Sequence, residues 1–68
     1  MHINDLRTKT KSMLAQAERR LEGAITHSEN RWPSLTLAEK NSAIANEMSL
    51  YNEAEYLREA LEHLNGPT

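Results

Sequence analysis

Apolar and small side chains recur at steps of three and four along the first part of the chain: Ile3, Leu6, Thr10, Met13, Leu14, Ala17, Leu21, Ala24 and Ile25. That spacing is one stripe of an α-helix, and it predicts a first helix over about residues 4–29. Asn4 is the expected N-cap, with Asp5 in the first turn, where a carboxylate meets the positive end of the helix dipole. Gly23 falls inside the pattern at a cost of about 1 kcal/mol relative to alanine. Two readings fit it: a tolerated interruption, or a place where a neighbouring helix comes close beside Ala24.

Asn30-Arg31-Trp32-Pro33-Ser34 breaks the pattern, and a second helix is predicted over about residues 37–64. Thr36-Leu37-Ala38-Glu39 has the form of a capping box, in which hydroxyl and carboxylate satisfy free backbone donors. Gly66 followed by Pro67 is the expected stop, since glycine supplies a left-handed residue and proline cannot continue a helix.

The apolar residues of this second helix do not share one face. Leu37, Ile44, Met48 and Tyr51 lie on one stripe, whereas Leu50, Ala54, Leu57, Leu61 and Leu64 lie on another. The two stripes are displaced by roughly 140° at the helical period. Where the first would continue, the sequence places Glu55, Glu59 and Glu62. Either the helix breaks near residues 49–52, making three helices, or it is continuous and meets two neighbours.

Charge favours the continuous helix folded back on the first. Residues 1–28 hold five Lys/Arg and three Asp/Glu, and residues 29–68 hold three and seven. An antiparallel hairpin would set Arg7, Lys9 and Lys11 opposite Glu55, Glu59 and Glu62. The expectation is therefore an all-α antiparallel helical hairpin forming a single domain over residues 1–68. In it Ile25, Leu21 and Leu14 meet Leu37, Ile44, Met48 and Tyr51 within the chain. The second stripe is then left for another copy. Leu6, Met13, Ala17, Leu50, Ala54, Leu57, Leu61 and Leu64 form the expected dimer interface of a four-helix bundle.

Composition sharpens the case for self-association. A chain of this size buries only about 60% of the surface its unfolded form exposes, and this one, of 68 residues, has no Cys, Phe or Val and a single Trp. Small domains commonly make up such a deficit with disulfides, metals or oligomerisation. Without cysteine the expected remedy is a homodimer. Absent cysteine also fits a reducing cytoplasm, and no secretory leader pattern opens the sequence. Apolar runs reach only three residues, far from a membrane span. The net charge of −2 argues against a broad grip on nucleic acid.

Chemistry is sparse. His2, His27 and His63 have no metal-ligand spacing, and no phosphate loop or activated nucleophile is present. Carboxylates work as acid and base only in a pocket that perturbs them, which two helices do not provide. The expectation is a non-enzymatic protein with no cofactor and no small-molecule substrate.

Three features suit binding instead. Trp32, flanked by Arg31, is either a lid over Ile25, Leu35 and Leu37 or an exposed anchor of the kind found at interface hot spots. Tyr56, among Glu53, Glu55 and Glu59, is either an ordinary amphipathic side chain or an aromatic spot for a basic partner. Lys9, Gln16 and Arg20, with His27, follow one flank of the first helix; they read as a solvated face or as a phosphate-contacting stripe.

The layout resembles the plasmid repressor-of-primer family, a tiny helical hairpin that dimerises into a four-helix bundle and binds RNA. The likeness is one of architecture, and no functional residue carries over. The function expected is a regulator or inhibitor that occludes a larger protein, of the compact sort found among phage and plasmid accessory proteins. The alternatives are an RNA-binding bundle using the basic stripe, and a structural dimerisation module.

Overall fold

In the computed structural model, which describes residues 2–66, two long helices lie side by side. Helix α1 spans Ile3–Arg31, a short 3-10 turn spans Trp32–Ser34, and helix α2 spans Leu37–Leu64. The molecule measures 48 × 19 × 16 Å. A helix of 29 residues is itself about 44 Å long, so the chain is a two-rod hairpin one layer deep.

Local chemistry sets the ends. Residue His2, not Asn4, caps α1: its Nδ1 accepts from the Asn4 backbone N–H at 3.3 Å. Asn4 instead lies in the first turn, where its Oδ1 accepts from Arg7 Nη1 at 3.4 Å. Asp5 sits in that turn as expected. At the other end Pro33 lacks the N–H that a continuing helix needs, and the chain leaves through a 3-10 turn closed by Leu35 N–H on the Trp32 carbonyl at 3.2 Å.

The capping box of α2 is complete. Glu39 N–H donates to Thr36 Oγ1 at 3.2 Å, and Thr36 N–H donates to Glu39 Oε1 at 2.9 Å. The Thr36 backbone and side-chain hydrogen bonds hold the Glu39 carboxyl below its ordinary value. Its capping contribution is thus present above the usual carboxylate range and lost as pH falls through the lowered folded value. After Leu64 the chain turns at Gly66, whose φ of 93° is the left-handed conformation that glycine tolerates. Pro67, the expected stop, lies outside the described residues.

Helix α2 is continuous, with no break at residues 49–52. Its two stripes, however, take the opposite parts from those expected. The core is Ala17, Ala54 and Leu57, with Leu14 packed against them. Ala17 is fully buried and Leu57 is 6% exposed. Leu50, Leu61 and Leu64 of α2 and Leu21 and Ala24 of α1 are half-buried, and Thr10 and Ser28 of α1 are buried. Ala17, Ala54 and Leu57 are therefore occupied within one chain and are not free for a second copy.

The reason lies in the length of each stripe. A straight helix shows its neighbour one face from end to end. The Ile44–Met48–Tyr51 stripe runs into Glu55, Glu59 and Glu62, whereas the leucine stripe stays uncharged to Leu64. The α1 side of the seam mixes small residues (Thr10, Ala17, Ala24, Ser28) with Leu14 and Leu21, and α2 supplies Leu50, Leu57, Leu61 and Leu64. Thr10 satisfies its buried hydroxyl by donating to the Leu6 carbonyl at 2.8 Å.

Cross-helix polar contacts confirm the antiparallel register, through residues other than those expected. Arg58 Nη2 meets Glu18 Oε2 at 3.0 Å, and Arg20 Nη2 lies 3.7 Å from Glu53 Oε1. Arg7 Nε donates to the Leu64 carbonyl at 2.9 Å. Among the described residues no ion pair joins Arg7, Lys9 or Lys11 to Glu55, Glu59 or Glu62. Such exposed pairs contribute about 0–1 kcal/mol each, so they orient the hairpin more than they stabilise it.

Gly23 has open space on every side: a Cβ there would meet nothing within 4 Å. It is a tolerated interruption and no helix approaches it. Gly23→Ala should therefore raise stability by about 0.5–1 kcal/mol, read as a higher urea midpoint with an unchanged slope.

Candidate functional site

The stripe that the hairpin does not use becomes its most distinctive surface. Ile44 is 45% exposed, Met48 60% and Tyr51 55%. Together with Leu21 and Ile25 of α1 they line an open groove of about 500 Å³ along one side of the molecule. The groove continues toward the turn, where Ile25, Ile44 and Trp32 share an adjoining recess. In the other direction it reaches Glu18, Ala54 and Arg58. Two rods packed side by side always leave such a furrow. Here it is apolar because α2 turns a second hydrophobic face into it.

Trp32 is both of the things expected of it in part. It contributes to the recess beside Ile25 and Ile44, yet 37% of it stays open to solvent. Lys40 Nζ lies 5.3 Å from its ring centroid, within cation–π range. It does not shield Leu37, which is among the exposed large apolar residues. Arg31 points elsewhere: its Nη1 lies 3.5 Å from His27 Nε2.

Tyr56 is exposed and shares no recess with Trp32. Of its acidic neighbours, Glu53 faces Arg20 and Glu55 is hydrogen-bonded to Arg58. The two candidate features, Arg31 and Trp32 at the tip and Tyr56 with Glu53 and Glu59 on the second helix, thus remain separate surfaces.

The basic flank of α1 fares similarly. Arg20 Nε donates to the Gln16 carbonyl at 3.5 Å while its guanidinium faces Glu53. Lys9 is exposed and makes no ion pair among the described residues. Leu6 and Met13, expected at a dimer interface, are exposed on that side of α1.

The apolar stripe of Ile44, Met48 and Tyr51 is visible in the sequence, but it lines this groove and not the seam between the helices. Its signal was the run of glutamates at 55, 59 and 62, which already forbade that face from lining a full-length seam. Among the described residues no group of three or more His, Asp or Glu converges on a metal-sized site, and no helix is long and apolar enough to cross a membrane. No family model, curated protein or solved structure matches the chain.

Proposed function

We propose that this chain is a non-enzymatic binding protein, a small regulator or inhibitor that docks another protein on the loop-proximal groove. One observation carries the reading. The chain exposes 5292 Å², about 900 Å² more than the 4,400 Å² or so expected of a compact 7.8 kDa monomer. A rod of 48 × 19 × 16 Å spreads that excess along its whole surface. That surface includes a contiguous apolar patch, where the cost of leaving large side chains in water is greatest.

Mechanistically, such a protein acts by occlusion. The groove is already formed in the unbound hairpin, so its two walls need little ordering on docking. Ile44, Met48 and Tyr51 supply the desolvated centre, and Trp32 supplies a large amphipathic contact at one end. A compact accessory protein of a phage or plasmid fits this mode of action.

Capture from a lysate of the host separates this reading from RNA binding. A protein retained by the immobilised chain should survive nuclease treatment and persist between 50 mM and 500 mM salt. Retention lost to nuclease, or falling steeply with salt as counterion release requires, would favour the basic stripe of Lys9, Gln16 and Arg20 and sink the proposal.

A further inference from the structure

We infer that the occupant of the groove is an amphipathic helix of a partner protein, flanked by lysine or arginine, seated as a third helix on the hairpin. The inference rests on the docking reading above and names the partner's chemistry.

Shape supplies the first part. The groove follows α1 from Glu18 to Trp32, a path of roughly 21 Å, or four turns of helix. Its walls are two helices, and helices pack 8–10 Å apart with side chains interleaved. A helix carrying apolar residues at i, i+3, i+4 and i+7 fits such a furrow.

Charge supplies the second. Among the described residues Glu18, Glu22, Glu29 and Glu47 border the groove, against Arg58 in its lining and Lys40 over Trp32 at its end. Arg58 is already held by Glu18 and Glu55. Glu22, Glu29 and Glu47 make no ion pair among the described residues. Carboxylates beside an apolar floor lose hydration when that floor is covered, and cations on the incoming flanks offset the loss. A second copy packed groove to groove would set two such acidic rims together, with Arg58 and Lys40 of each copy too few to balance them. Nucleic acid would be repelled for the same reason.

The test is selection of displayed helices on the immobilised full chain. The library fixes an apolar seam and leaves the flanking positions free among Lys, Glu and Gln. The expected result is enrichment of Lys, with a selected peptide binding at least tenfold tighter than its Glu-flanked twin at 50 mM salt. That ratio should shrink in 1 M salt, where charges are screened within about 3 Å. The chain carrying Glu22→Lys and Glu47→Lys should enrich Glu instead. Enrichment of a seam with no charge preference would overturn the inference and leave the docking reading intact. A sedimenting dimer that Met48→Glu disperses would overturn it in favour of self-pairing. A monomer that enriches no helix would overturn the inference, and the docking reading would then stand or fall on the lysate capture alone.

Discussion

Leu57→Ala should remove most of the stability of this chain. Leu57 is the one large side chain in a core otherwise made of Ala17 and Ala54. Truncating a buried leucine to alanine costs about 2–5 kcal/mol, depending on how far the surroundings relax. A domain of this size has roughly 3–10 kcal/mol in all. The variant should therefore melt near room temperature, or be largely unfolded, by circular dichroism at 222 nm. The same experiment tests the seam itself. A variant that lost less than about 1 kcal/mol would mean that the helices pair through the other stripe.

Ile44→Glu combined with Met48→Glu should do the reverse. Both side chains are exposed, and glutamate is at least as good a helix former as isoleucine or methionine. Stability should move by no more than about 0.5 kcal/mol per site. Binding of a protein partner should fall 30-fold or more, because truncating or charging a central contact costs about 2 kcal/mol or above. Melting curves and calorimetric titration on the same preparation give both numbers. Loss of folding with the pair would place the stripe in the seam. Unchanged affinity would remove the groove from the binding surface.

Contrasting effects at Leu57 and at Ile44–Met48 restate where the sequence was legible. Element type and boundaries were readable because they rest on local chemistry: the period of three and four, the Thr36–Glu39 box, the Trp32-Pro33 break and the Gly66 stop. Continuity through residues 49–52 was also favoured correctly, by the charge division between the halves. The pairing of faces was harder. Large side chains attracted the assignment of core, yet the buried α1 surface is built of Thr10, Ala17 and Ser28. Small residues look neutral in a hydrophobic pattern, yet here they are the most deeply buried positions of α1. The ion pairs differ from those expected for a related reason. Register alone brings Arg7 near Leu64, but side-chain direction gives Arg7 a carbonyl and gives the carboxylate of Glu18 to Arg58. The acidic rim belonged to neither reading, since Glu18, Glu22, Glu29 and Glu47 come together only when both helices are placed.

The antiparallel register also orders the chain in time. Contacts at the open end join residues 57 apart in sequence, as in Arg7 to Leu64, and mid-hairpin contacts join residues 40 apart, as in Glu18 to Arg58. Those beside Trp32 close far shorter loops. Each doubling of loop length adds about 0.6 kcal/mol of closure entropy, so zippering starts at the turn and fraying starts at the termini. The groove of Ile25, Ile44 and Met48 lies on the half that closes first and opens last. Protection against hydrogen exchange should accordingly be graded along the rods. The surface offered to a partner would persist through openings that leave the two ends of the chain apart.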